Sequence, residues 1–238
     1  MKYMGSKNRI AKDILPIILQ NKTRDRWYIE PFCGGCNLID KVEGKRIAND
    51  NNKYLIAMWK ALVYDKWIPP FYSKEQYKVI KENKDSYPDY IVGWAGFNCS
   101  YNGIFFAGYS GEITTKLGTK RNYQQEALRN INKQIPKLTD VMFTNNDYRN
   151  IEIPDNSIIY CDPPYEGVSQ YKTGTFNSAD FWNWVRDISR KHEVYVSEYN
   201  APDDFEILYE KELKTTISPN STKIALEKLF RCKNDLTK

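Results

Sequence analysis

The 238-residue sequence predicts an α/β protein: one open, largely parallel sheet with helices on both faces, split by an inserted segment. Three observations predict it. Short apolar runs alternate with amphipathic ones at both ends of the chain, the pattern of parallel strands joined by helical crossovers. Between them, residues 63–135 change character and hold 14 of the 34 aromatic side chains. Finally, four strand-like runs deliver an acid at their end, where open parallel sheets hold ligands.

The elements follow in order. "GSKNRIAKDILPIILQ" reads as a helix with Ser6 as its cap, "RWYIE" as a short buried strand and "CNLIDKVEG" as a helix closed by Gly44. "KRIAND" is a second strand and "NKYLIAMWKALV" a second amphipathic helix. In the middle, helical pieces at "SKEQYKVIKENK" and "YQQEALRNINKQI" flank a hairpin or loop, and this segment is expected to have a small core of its own. After it come strands at "VMFTNNDY" and "SIIYCDPPY", a helix at "SADFWNWVRDISRK" and a strand at "EVYVSEY". The tail carries strand-like "FEILYE" and "KIALEKLF". Residues 1–62 and 136–238 are thus read as one domain, and 63–135 as an insertion.

Composition narrows the class. Hydrophobic residues at 41% and charged residues at 27% are those of a soluble globular chain, and a net charge of +5 leans toward a polyanionic partner. "MKYMGSKNRI" has no apolar stretch of a secretory signal, and five cysteines, an odd number, suit reduced thiols, so a cytoplasmic location is expected. The uncharged run from Tyr90 to Gly111 is long enough to span a membrane. Its five glycines, two asparagines and two serines exclude that reading.

The candidate ligand positions close the strands. In "YIEPFCGGCN", Gly34 and Gly35 allow a tight turn and close backbone approach to a ligand. The pattern is not G-x-G-x-x-G, which argues against a dinucleotide. Cys33 and Cys36 form a CxxC, but Cys99, Cys161 and Cys232 stand alone, so the pair is read as structural and no metal is expected. The single histidine, His192, is read as a surface or structural residue. Asp50 ends "RIAND" 20 residues beyond Glu30, where such folds hold a ribose hydroxyl; capping the next helix is an equal alternative. Asp147 and Tyr148 form either a ligand pair or a plain polar loop. No Pro-Cys dipeptide, G-x-S-x-G or Walker loop occurs. Asp162-Pro163-Pro164-Tyr165 is the most informative stretch. Two prolines cannot continue a sheet, so an acid, a carbonyl and an aromatic ring are fixed on one rigid corner.

"YMGSK", "EPFCGG" and "DPPY" occur in this order, and over nearly its whole length the chain resembles the Dam-like DNA adenine-N6 methyltransferases. The resemblance implies a Rossmann-like S-adenosylmethionine-dependent sheet, double-stranded DNA as partner, and site-specific methylation of a flipped adenine. It puts Tyr3 and Lys7 at the cofactor's methionine end, and Glu30, Pro31, Phe32, Gly34 and Gly35 in the cofactor loop. Asp50 would hold the ribose, Asp147 and Tyr148 would frame the cofactor's adenine, and Asp162, Pro163, Pro164 and Tyr165 would be catalytic, Asp162 also facing the cofactor. Cys36 and Asn37 depart from the family, which more usually has a third small residue there. The implied chemistry is preorganisation. Asp162 and the Pro163 carbonyl accept hydrogen bonds from the amine and aim its lone pair at the sulfonium methyl, while Tyr165 stacks on the extruded base.

Residues 63–135 would then be the target-recognition domain, with ten Lys/Arg against seven Asp/Glu. "SYNGIFFAGY" resembles the family's recognition segment but has Phe106 or a neighbour where an arginine is usual. Lys116, Lys120 and Arg121 are candidates for phosphate contacts. Asn98, Tyr101 and Asn102 are candidates for reading base edges or filling the gap left by a flipped base. About half of the aromatics must simply form core. The alternatives are a methyltransferase for RNA or a protein amide, in which Asn more often stands at the position of Asp162, and a catalytically silent DNA-binding relative. Oligomeric state is left open, a monomer included.

Overall fold

A computed structural model describes residues 1–114, 118–165, 176–218 and 221–233. The first part contains α1 (Ala11–Ile18), β1 (Tyr28–Glu30), β2 (Arg46–Asn49) and α2 (Lys53–Val63). Then come α3 (Lys74–Glu82), α4 (Asp89–Asn98), a hairpin of β3 (Glu112–Thr114) with β4 (Lys120–Asn122), and α5 (Tyr123–Gln134). The last part holds β5 (Val141–Thr144), β6 (Ile158–Cys161), α6 (Ser178–Ile188), β7 (Glu193–Glu198), β8 (Phe205–Ser218) and β9 (Ser221–Cys232).

Seven strands form one sheet in the order β5-β2-β1-β6-β7-β9-β8. The first five are mutually parallel, and the β8–β9 hairpin, which joins the two strand-like pieces of the tail, runs antiparallel at the far edge. From β1 the chain moves outward through β2 to β5, then returns to the other side of β1 as β6. That reversal opens a crevice beyond the carboxyl ends of β1 and β6, where Glu30 and Asp162 stand. Both faces of the sheet are covered. Tyr28 and Tyr160 join the cluster under α1, α2 and α4, whereas their neighbours Ile29 and Ile159 join the cluster under α6. Side-chain alternation along each strand produces this split.

Most helices begin on the caps their sequence offers. Asn52 Oδ1 accepts from the Leu55 amide, Ser73 and Gln76 form a capping box, and Asn177 Oδ1 accepts from the Asp180 amide. Two expectations are corrected. "CNLIDKVEG" is not a helix but a single 3-10 turn at Ile39–Lys41. Positive φ angles at Gly34, Cys36 and Gly44 leave only residues 37–43 between them, too few to repay helix nucleation. Conversely, the start of the glycine-spotted run is the helix α4, packed against α2. A Cβ on Gly93 would lie 2.1 Å from the Tyr54 carbonyl oxygen, so the missing side chain is what lets the two backbones approach. The buried side chains of 63–135, among them Tyr77, Trp94, Phe97 and Ile131, belong to the same cluster as Ile14, Trp59 and Tyr160. The separate small core is not found among the described residues.

Candidate active site

The crevice is a cavity of about 950 Å³. On its wall lies the Gly34–Gly35 bend, with Tyr3 laid across it: added Cβ atoms would come within 2.6 Å of the Tyr3 ring at Gly34 and 2.7 Å of its Cβ at Gly35. The bend is tied down from several sides. The Gly34 amide donates to Asp50 Oδ2 (3.1 Å), and its carbonyl accepts from Trp59 Nε1 (3.1 Å). The Gly35 and Cys36 carbonyls accept from Gln134 Nε2 at 3.0 and 2.9 Å. Asp50 also accepts from the Asn52 amide at 2.9 Å, so it joins the bend to the start of α2, while Asn52 does the capping. Burial pushes the Asp50 carboxyl up to about 6, against the pull of those two amides.

Glu30, buried at the end of β1, accepts from the Tyr28 hydroxyl (2.9 Å), and burial raises its carboxyl to about 8. Cys33 and Cys36 are buried free thiols whose ionisation burial opposes. Both belong to the buried cluster that contains Ile14 and Trp59, and Cys33 also lines the cavity. Further round, Phe32, Tyr148 and Phe176 make an aromatic wall: Tyr148 lies 5.3 Å from Phe32 and 4.9 Å from Trp184, ring centre to ring centre. Asp147 is held by the Arg149 guanidinium at 2.8 and 2.9 Å, which keeps its carboxyl below the usual carboxylate range.

On the wall of the same cavity, β6 ends in the rigid corner. Asp162 Oδ1 lies 3.0 Å from the ammonium of Lys7, which is buried and donates to the Gly5 carbonyl at 3.0 Å. The same ammonium is 3.6 Å from Glu227 Oε2 and 4.5 Å from the centre of the Tyr165 ring. Tyr165 donates its hydroxyl to Glu227 (2.8 Å) and meets Tyr199 edge-to-face at 4.6 Å. Burial pulls the Lys7 pKa down, but Asp162 and Glu227 more than offset it and leave the group above its ordinary value. Burial pushes Asp162 up, and Lys7 works against that shift.

Every residue expected at the cofactor and every residue of the Asp162–Tyr165 corner lines this one cavity. The expected DNA contacts behave differently. Asn98 is buried, its amide nitrogen 3.2 Å from Met58 Sδ, so it presents no edge to a base: that expectation is corrected. Tyr101 is exposed, and Asn102 sits in a tight turn with φ 55°. Lys120 is exposed on β4, and Arg121 beside it forms a two-bond pair with Glu126 at 2.8 and 2.7 Å. None of these five lines the cavity. Lys116 lies outside the described residues. His192 is structural: its buried ring accepts from the Ser157 amide through Nδ1 (3.2 Å). Among the described residues there is no cluster of His, Cys, Asp or Glu that could hold a metal, and no helix long and apolar enough to cross a membrane.

The family model for D12 class N6 adenine-specific DNA methyltransferases matches residues 3–223. The chain belongs to this family. The modification methylase StsI of Streptococcus sanguinis is 26% identical over 210 residues, covering 77% of this chain and 31% of that protein. The D12-class chain therefore spans about a third of that relative's length. Among solved structures, SMU.472 complexed with SAH covers 100% of this chain and 55% of its own, at 12% identity and a TM-score of 0.40. The tRNA (m1A58) methyltransferase TrmI from Aquifex aeolicus covers 94% and 69%, at 13% identity and a TM-score of 0.37.

Among the residues of this candidate site that escape the sequence reading are Trp59, Gln134, Arg149, Phe176, Tyr199 and Glu227. Glu227 alone left a usable signal. It stands two positions before the buried Leu229 on β9, an acid on the inward face of a strand.

Proposed function

We propose that this D12-class chain transfers a methyl group from S-adenosylmethionine to the N6 amine of adenine in double-stranded DNA. One observation supports the reading: the Asp162–Tyr165 corner and the Gly34–Gly35 bend line one cavity at the sheet's switch point. Its volume of about 950 Å³ is near the top of the roughly 300–1,000 Å³ range of small-molecule sites and leaves room for a cofactor beside a purine. The residues suit the cofactor. The bare bend admits close backbone approach, Asp50 offers acceptors for ribose hydroxyls, and Phe32, Tyr148 and Phe176 supply an apolar wall for a purine. Lys7 lies at the end nearest Asp162, and Tyr3 lies across the bend.

Bound there, S-adenosylmethionine supplies an electrophilic methyl on a sulfonium. The chain's part is to orient the amine. Asp162 and the Pro163 carbonyl accept its two N–H bonds and favour a localised lone pair, Lys7 fixes the Asp162 carboxylate, and the prolines hold both acceptors still. Tyr165 offers a ring to a base drawn out of the duplex. Exposed basic residues such as Lys120 contribute the phosphate contacts. Acting on DNA, the chain would work in the cytoplasm of a bacterial or phage-infected cell.

The test is transfer of tritiated methyl to unmethylated DNA, with RNA and a protein mixture as parallel substrates. Asp162→Ala is expected to lower transfer to DNA at least about 10²-fold while DNA still binds. Undiminished transfer by the variant, or transfer to RNA or protein alone, would overturn the reading.

A further inference from the structure

The Lys7 ammonium is shared by two carboxylates, although one is enough to neutralise it. Asp162 at 3.0 Å completes the pair; Glu227 at 3.6 Å is surplus. The three side chains together carry a formal charge of −1, and Lys7 and Glu227 are nearly inaccessible, with 5% and 12% of their side-chain surface exposed. The other cations on the cavity wall do not cancel it. Lys53 is paired with Asp89 at 3.1 Å and Arg149 with Asp147 at 2.8 Å. A surplus charge withdrawn from water is costly unless a positive group comes to it.

We infer that Glu227 gives the Asp162 corner a net negative charge that favours a sulfonium-bearing cofactor over the neutral sulfide left when its methyl has gone. The inference rests on the function proposed above. A sulfonium carries a full positive charge but has no N–H or O–H to donate, so specific hydrogen bonds cannot select it. A fixed negative field can. Methyl transfer breaks the carbon–sulfur bond, the sulfur keeps the electron pair and becomes neutral, and the amine nitrogen bonds the carbon through its lone pair and gives up a proton to the surrounding water. The corner's attraction is then present for the reactant and gone for the product, which eases release of the spent molecule. Glu227 is a positioning residue as well, because it holds the Tyr165 hydroxyl at 2.8 Å.

Glu227→Gln separates the two roles, since the amide oxygen still accepts from Tyr165 while the charge is removed. Binding of S-adenosylmethionine and of S-adenosylhomocysteine would be measured by calorimetric titration on the full chain, with melting curves to establish that each variant is folded. Glu227→Gln is expected to weaken the sulfonium ligand about tenfold and to leave the sulfide within about twofold. Glu227→Asp, which keeps the charge, should retain the wild-type ratio of the two affinities. Equal loss for both ligands in Glu227→Gln would reduce Glu227 to a structural support and overturn the inference, as would no loss for either. If the wild-type chain binds neither ligand, the proposed function itself fails, a result distinct from an unchanged ratio.

Discussion

At the scale of single residues, the site is built from acids held in uncomfortable places. Glu30 is the extreme case: burial lifts it from 4.5 to about 8, although the Tyr28 hydroxyl and the Ile39 amide favour its charged form. The sign of the consequence is fixed. The unfolded chain gives up this proton near 4.5 and the folded chain only near 8, so stability falls as pH rises through that window and levels off above it. Glu30→Gln removes the ionisation but keeps an acceptor for Tyr28. Urea unfolding at pH 4.5 and pH 8.5 should show the variant gaining on wild type by up to about 4 kcal/mol at the higher pH, with little difference at the lower. A wild-type stability that does not fall between the two, relative to the variant, would count against a buried, late-ionising Glu30.

At the scale of elements, what the sequence revealed and what it hid have physical causes. β1, β2, β5 and β6 were legible because short apolar runs break on Glu30, Asp50, Asp147 and Asp162, so the same residues mark both the strand ends and the cavity wall. α4 was not. Val92, Trp94, Ala95 and Phe97 are all buried, so the helix lacks the polar face that periodicity detects, and Gly93 reads locally as a breaker. Its meaning lies in the backbone of α2. The burial of Glu227 left a signal, but its partner did not: it acts on Tyr165 across 62 residues of sequence, and the hairpin that brings it back sets the contact. Asn98 was misread because a polar residue near a glycine turn resembles a surface reader, whereas this one faces two methionine sulfurs. The packing of α4 makes a firm prediction. In Gly93→Ala the new methyl would meet the Tyr54 carbonyl oxygen at 2.1 Å and Met58 Cβ at 2.9 Å. Backbone cannot rotate aside as a flexible side chain can, so the helices must separate. The cost should be at least about 2 kcal/mol, lowering the melting temperature by roughly 4–8 °C; an unchanged melting curve would mean that α4 and α2 do not pack this closely.

At the scale of the whole molecule, the division of the chain in sequence does not coincide with a division of its interior. Trp94 and Ile131, from 63–135, share a buried cluster with Trp59 of α2 and Tyr160 of β6. Gln134, at the end of α5, bonds the Gly35 and Cys36 carbonyls. The proposed recognition segment thus helps to hold the bend on which the proposed cofactor site depends, and neither part keeps its buried face if the other is removed. Such a molecule should unfold as one unit. Far-ultraviolet circular dichroism, which follows the helices, and near-ultraviolet dichroism, which follows the packed aromatics of both segments, should give coincident urea transitions with a single midpoint and slope. A fragment of residues 64–134 made alone should lack a cooperative transition, since the partner surfaces of Trp94 and Ile131 lie outside it. Two separated transitions, or a fragment that melts cooperatively, would show that 63–135 is an autonomous domain and that its grip on the glycine bend is dispensable.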